Sequence, residues 1–379
     1  MAMRRSIALW ATVASTASLS ACTLPDYSDT RCTGYLGCSD RQSIGPAMVE
    51  ETVAKAPDPA AGLPATGINA VAPSSGCGKD VPADQVGTVP GTPKGYTHYT
   101  VMGTGQTLAN TIAEKAGPRT FWVRVPADYD PNHAYRVVYI GQGCGGYENA
   151  NLSTLPLYKE SLGGTEQAIY VALDIPRDMV NMDCYDNRDG VASQEWEAFQ
   201  LFHDVVESTY CVDNNRIYAT GYSTGGWLAN MWGCYFAGDG MNPAGSPGVP
   251  RKFAPKYHVR AQAAVTGGEP ANQPKCNGPV AALWIHDAGD KSNVISGNVS
   301  ALARVGEMNG CDTKYDGTTN QTPWHPEFPM LGDVCRQFTG CPENYPVVFC
   351  TTNGYGHADQ AERATTAFKA FFDMLEPMN

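Results

Sequence analysis

A serine with a glycine two residues away on either side, Gly221-Tyr222-Ser223-Thr224-Gly225, is the stretch of this chain best suited to covalent chemistry. It follows Arg216 and the run Ile217-Tyr218-Ala219-Thr220. Directly after it, Trp227, Leu228, Met231, Trp232 and Tyr235 recur at three- and four-residue spacing. Strand, sharp turn and helix are the setting of a nucleophile elbow. Such a turn holds Ser223 in a strained conformation with its hydroxyl above the sheet edge. The glycines stand where a side chain would collide as strand and helix close together. The N–H of Thr224, opening the helix, then points at the oxyanion that attack by Ser223 creates. Gly-x-Ser-x-Gly alone also describes an ordinary glycine-rich turn; the elements on both sides favour the catalytic reading.

A serine hydroxyl needs a base to take its proton and an acid to orient that base. Of the seven histidines, His357 follows a strand-like run at 346–351 through the loop Asn353-Gly354-Tyr355-Gly356. His98, His133 and His203 precede Ser223, and His258 precedes any acid on a later strand. His286 lies within a strand end, and His325 sits in Pro323-Trp324-His325-Pro326 with no strand feeding it. The acid is expected in Trp284-Ile285-His286-Asp287-Ala288-Gly289-Asp290. Asp287 and Asp290 both qualify. Asp290 is preferred, because it lies past a small-residue turn where its carboxylate can fold back; the other is then a turn or capping residue. The order Ser223, Asp290, His357 is that of α/β-hydrolases.

The elements that must position these groups are legible in outline. Residues 120–126 alternate as a half-buried strand. Residues 135–140 form a near-continuous apolar strand, typical of a sheet covered on both faces, and run into Gly141-Gln142-Gly143-Cys144-Gly145-Gly146. So many glycines after a buried strand mark a close backbone approach, at the place where this fold supplies its second oxyanion donor. Residues 168–173 read as the next strand. Trp196, Phe199, Phe202, Val206 and Tyr210 recur as a crossover helix whose aromatics belong to the core. Strands at 261–266 and 280–286 follow, and Phe368, Phe371 and Phe372 mark a closing helix. Strands alternating with helices predict a mostly parallel sheet with right-handed crossovers and helices on both faces, an α/β-hydrolase fold.

The chain opens with the three parts of an export signal. Arg4 and Arg5 form a positive start, residues 6–19 are mostly apolar, and small residues lead to Cys22. That run is too short and too rich in Ser and Thr for a spanning helix. Leu19-Ser20-Ala21-Cys22 resembles a bacterial lipobox, in which Cys22 becomes the lipidated first residue; the alternative is ordinary cleavage with Cys22 as a disulfide partner. Thr23 rather than Asp at the next position points to the outer membrane. Residues 54–73 are dominated by Ala, Pro and Gly, as in a flexible tether, and Cys32 and Cys38 can close a small loop of their own. The organisation is therefore a signal peptide at 1–21, a tether at 22–76 and a catalytic domain at 77–379.

Hydrophobic residues make up 42% of the 379 and charged residues 17%, which suits a sizeable packed core. The net charge of −12 moves to −14 once Arg4 and Arg5 are removed, so there is no basic patch for a nucleic-acid partner. Thirteen cysteines without a Cys-x-x-Cys pair fit extracytoplasmic disulfides better than zinc. With Cys22 lipidated, twelve remain. Cys311, Cys335, Cys341 and Cys350 crowd the region before His357, and Cys184 and Cys211 bracket the crossover helix. Cross-links there are expected to hold the histidine loop and the nucleophile region in register.

From residue 77 onward the chain resembles the extracellular feruloyl esterase and polyhydroxybutyrate depolymerase family. The resemblance is carried by Ser75-Gly76-Cys77-Gly78-Lys79, by Gln142-Gly143-Cys144, and above all by residues 211–223; His286 to Asp290 and Gly354-Tyr355-Gly356-His357 complete it. Gln142 stands where the family has histidine, and Asp287 where it has glycine. The resemblance implies a carboxylic ester hydrolase with triad Ser223, His357 and Asp290 and an oxyanion hole from the N–H groups of Thr224 and Cys144. It implies neither metal nor organic cofactor. Feruloyl or related aryl esters on plant polysaccharide are the first expectation for the substrate, and hydroxyalkanoate polyesters the second. A reading of another class is a surface-binding lipoprotein that keeps the fold without turnover; the presence of all three triad residues counts against it.

Overall fold

The computed structural model describes residues 67–81, 96–101, 119–126, 129–144, 168–175, 184–185, 192–237, 257–268, 276–312 and 321–376. The leader at 1–21, Cys22, and the tether as far as residue 66, with Cys32 and Cys38, lie outside the described residues.

Five strands are buried at every position: Tyr135–Gly141 (β3), Ala168–Leu173 (β4), Ala261–Val265 (β6), Ala281–Asp287 (β7) and Val347–Thr352 (β10). A strand of that kind is stable only with cover on both faces. They belong to one ten-stranded sheet in which the other strands are Tyr96–Val101 (β1), Arg119–Arg124 (β2), Val212–Tyr222 (β5), Gln321–Pro323 (β8) and Cys335–Phe338 (β9). The order is β1-β2-β4-β3-β5-β6-β7-β10-β9-β8. From β4 to β10 all neighbours run parallel, and antiparallel pairs close both edges.

Successive side chains of a strand face opposite ways, which gives two cores. Val137 and Tyr139 of β3, Ala219 of β5 and Trp284 of β7 meet one set of helices. These are Ala192–Thr209 (α1), Thr224–Tyr235 (α2) and Ile295–Asn309 (α3), through Phe199, Trp232 and Leu302. Val138, Ile140, Tyr218 and Ile285 meet Phe368, Phe371 and Phe372 of Ala361–Asp373 (α5) on the other face, with Leu331 of the short Pro329–Gly332 helix (α4). Helices thus cover both faces, and the fold is that of an α/β-hydrolase.

Several features depart from the sequence reading, β1, β9 and α4 among them, since it contains none of the three. β5 begins at Val212, because its polar start is paired rather than exposed: Asn214 N–H donates to the Ala72 carbonyl at 2.9 Å, and Ser74 N–H to the Val212 carbonyl at 2.9 Å. α3 follows the acid region, where no helix was foreseen. The expectation that no strand feeds His325 is corrected: β8 ends at Pro323, two residues before it. That strand is the far edge of the sheet, two places outside β10, and His325 pairs there with Glu327 at 2.5 Å.

Ten cysteines form five disulfides among the described residues. Cys335–Cys350 ties β9 to β10, and Cys311–Cys341 ties the end of α3 to the loop after β9. The four cysteines crowding the region before His357 therefore pair among themselves. Cys184 and Cys211 do not pair with each other; they bond Cys144 and Cys77. Cys234–Cys276 fastens the end of α2.

Candidate active site

β5 ends at Tyr222 and α2 starts at Thr224, so Ser223 alone makes the turn, at φ 55° and ψ −119°. A non-glycine residue held there costs of order 1–3 kcal/mol. The surroundings hold it: Ser223 N–H donates to the Val265 carbonyl of β6 at 3.0 Å, and Gly225 N–H to the Gln142 carbonyl at 2.8 Å. The flanking glycines are required by contact. A Cβ on Gly221 would lie 2.2 Å from the Gly225 carbonyl oxygen, and one on Gly225 would lie 2.1 Å from the Gly141 carbonyl carbon. Strand, elbow helix and the loop after β3 touch through bare backbone at these points.

The three residues singled out in the sequence come together. His357 Nε2 lies 2.9 Å from Ser223 Oγ, and its Nδ1 lies 2.8 Å from Asp290 Oδ2. An ionised carboxylate only accepts, so the imidazole carries its proton on Nδ1 and presents a lone pair on Nε2 to the serine hydroxyl. Asp290 is buried, which pushes its carboxyl up. The imidazoles of His286 and His357 and the N–H groups of Asn293 and Ser292 outweigh that, and hold it well below the usual carboxylate range. Both N–H groups reach Oδ1, at 3.0 and 2.8 Å.

Asp287 lies three residues earlier and does not touch the histidine. Its Oδ1 accepts from Gly289 N–H at 2.9 Å; its Oδ2 accepts from Thr352 Oγ1 at 3.0 Å and from Tyr355 N–H at 2.9 Å. It thus closes its own turn and clamps the loop that leads to His357. Of the two aspartates, one faces the imidazole and the other is a turn residue with a loop to hold.

Thr224 opens α2, and its hydroxyl donates to the Tyr185 carbonyl at 3.3 Å. Cys144 is bonded to Cys184, next in the chain to Tyr185. The Tyr185 hydroxyl donates to the Leu173 carbonyl at 2.6 Å and accepts from Gln142 N–H at 3.3 Å. The 142–144 loop is thereby pinned beside the elbow: a Cβ on Gly143 would stand 3.5 Å from that of Ser223.

The sequence reading missed Tyr222. Its hydroxyl donates to the His357 carbonyl at 3.0 Å, and its ring packs against Gly143 on the other side. Burial, then the charges of Asp359 and Asp290, push its phenol up, so it stays a neutral donor. Its place beside Ser223 was the only available signal. Among the described residues no three His, Cys, Asp or Glu side chains are grouped to hold a metal ion, and no helix is long and apolar enough to cross a membrane.

The fold is that of an α/β-hydrolase, and by sequence the chain is similar to feruloyl esterases. It is 27% identical over 261 residues to feruloyl esterase D of Neurospora crassa, spanning 66% of this chain and 72% of that protein. It is 25% identical over 292 residues to a probable feruloyl esterase C of Aspergillus terreus, spanning 76% and 85%. Among solved structures, a feruloyl esterase module from Clostridium thermocellum in complex with sinapinate aligns at a TM-score of 0.46 and 14% identity, over 80% of this chain and 96% of that one. No protein-family model matches the chain.

Proposed function

We propose that this protein is an exported serine carboxylic ester hydrolase that works through an acyl-enzyme. The observation that carries the reading is the continuous hydrogen-bonded line Ser223, His357, Asp290, at 2.9 and 2.8 Å. In this mechanism His357 Nε2 takes the Ser223 proton as Oγ attacks the ester carbonyl. Asp290, ionised throughout, keeps the imidazole in the reactive tautomer and stabilises the imidazolium. The N–H groups of Thr224 and Cys144 receive the oxyanion, each worth on the order of 3 kcal/mol in the transition state. The imidazolium returns the proton to the leaving alcohol. Water, deprotonated by the same histidine, then releases the acid.

The substrate proposed is a feruloyl or related aryl ester of plant polysaccharide, supported by the named relatives. Profiling the purified protein on methyl ferulate and on hydroxybutyrate oligomers tests this. Higher kcat/KM on methyl ferulate supports the assignment, and turnover of the oligomers alone overturns it.

Export is supported by the disulfides, which persist in oxidising compartments. The lipobox-like Leu19-Ser20-Ala21-Cys22 supports lipidation at Cys22 and tethering to the outer membrane or cell surface. The expected result is a membrane-recovered protein labelled by a palmitate analogue, with the label lost in Cys22→Ser. A soluble, unlabelled wild type would sink the anchor without touching the chemistry.

A further inference from the structure

Behind the acid stands a second histidine that the mechanism above does not use. His286, the penultimate residue of β7, is fully buried, as are Asn298 of α3 and Trp284 of β7, with Asn230 of α2 at 3% exposure. Their side chains form one line. The Trp284 indole can only donate, and it donates to Asn230 Oδ1 at 2.8 Å. That fixes which end of Asn230 is the amide nitrogen, and Nδ2 donates to Asn298 Oδ1 at 3.0 Å. Asn298 must then offer its own Nδ2 to His286 Nδ1, at 2.8 Å.

His286 Nδ1 is therefore an acceptor, and the single proton of the neutral ring sits on Nε2. The opposite tautomer would set two donors face to face at Asn298, with both groups buried and unmatched. Nε2–H is given to the Asn293 carbonyl at 2.8 Å and lies 3.6 Å from Asp290 Oδ2. At the longer distance its effect on the carboxylate is electrostatic; the bond proper is to the turn. Residues 290–293 are the turn whose N–H groups hold Asp290 Oδ1. Asn293 Nδ2 also donates to the Thr266 carbonyl at 2.7 Å, next to the Val265 carbonyl that receives the Ser223 N–H. The turn carrying the acid and the elbow carrying the nucleophile are thus fastened to the same strand end.

We propose that His286 is a positioning residue for Asp290: the line from Trp284 through Asn230 and Asn298 locks its tautomer, and its Nε2–H holds the 290–293 turn so that the carboxylate meets His357. This rests on the triad reading above. A misplacement of the acid by a fraction of an ångström affects the transition state more than substrate binding.

The test uses two side chains of similar length. His286→Gln keeps an acceptor for Asn298 and a donor for the Asn293 carbonyl; His286→Met keeps no donor. On p-nitrophenyl acetate, Met should lower kcat roughly 10- to 100-fold with KM within about twofold of wild type. Gln should restore most of the turnover. Melting temperatures are measured in parallel, and Ser223→Ala is assayed beside them. Met turning over like wild type, or Gln as impaired as Met, overturns the proposal. Activity persisting in Ser223→Ala overturns the triad reading instead. Should His286→Met not fold, Asn298→Leu frees the tautomer while keeping the imidazole: a fall in kcat at constant KM supports the proposal, and unchanged kcat overturns it.

Discussion

The hydroxyl of Tyr222 donates to the backbone carbonyl of His357 at 3.0 Å. The residue before Ser223 therefore holds the loop that carries His357. The ring of Tyr222 also packs against Gly143, so one side chain spans the gap between the loop after β3 and the histidine loop.

Tyr222→Phe keeps the ring and removes only the donor. The expected stability loss is about 1 kcal/mol, the ordinary worth of such a bond. A larger proportional fall is expected in kcat, because His357 loses its fixed distance to Ser223. Steady-state kinetics and a urea titration check the two effects separately. A change in stability with kcat untouched would remove the positioning role.

The two aspartates should separate in kinetics. Asp290→Asn exchanges the acceptor that keeps His357 in its reactive tautomer for a group that can donate, and kcat should fall about ten-thousandfold. Asp287→Asn leaves the imidazole's partner in place and weakens the clamp on Tyr355, so its effect on kcat should be much smaller. If Asp287→Asn is the crippling change, the acid has been assigned to the wrong residue.

The depressed carboxyl of Asp290 makes a prediction about acid stability. A group whose pKa is lower folded than unfolded stabilises the fold above the unfolded value, about 3.9 for aspartate, and ceases to as pH falls through the folded value. Melting curves of wild type and Asp290→Asn should therefore differ by a constant amount near neutrality and converge only well below pH 4. Convergence already at pH 6 would mean that the carboxylate is not held as described.

The disulfide Cys144–Cys184 sits at the loop beside the elbow, and Cys335–Cys350 sits between β9 and β10. Removing either pair by double serine substitution should cost about 2–4 kcal/mol of stability. Only loss of Cys144–Cys184 should also lower kcat, since that loop is proposed to bear an oxyanion donor. Equal kinetic damage from both would show that the effect is general loosening.

Much of the candidate site was legible in the sequence because its markers are local. Ser223 is announced by glycines on either side, and these stand where added Cβ atoms would meet backbone at 2.1–2.2 Å. His357 is announced by a glycine-rich loop after a buried strand. The acid was legible only as a pair of candidates, because the choice depends on which carboxylate folds back across the turn. The parallel strands were readable for the same reason that they are buried: they are almost wholly apolar. Positions fixed by partners far along the chain were not readable. Asp213-Asn214-Asn215 precedes the strand run expected from Ile217, yet it pairs with residues 72–74 and lengthens β5. His286 looked like a strand residue, and its orientation depends on Asn298 and Asn230 on two separate helices.

The proposed chemistry stands or falls with Ser223, activated by His357, as the nucleophile of an ester hydrolase. Its most direct test is intact-mass analysis after exposure to a serine-directed phosphonate, with methyl ferulate hydrolysis followed on the same samples. The expected result is one adduct per chain, mapped to Ser223, with activity lost in step with labelling, and neither adduct nor turnover in Ser223→Ala. Full hydrolysis by a completely labelled protein, or by Ser223→Ala, would contradict it.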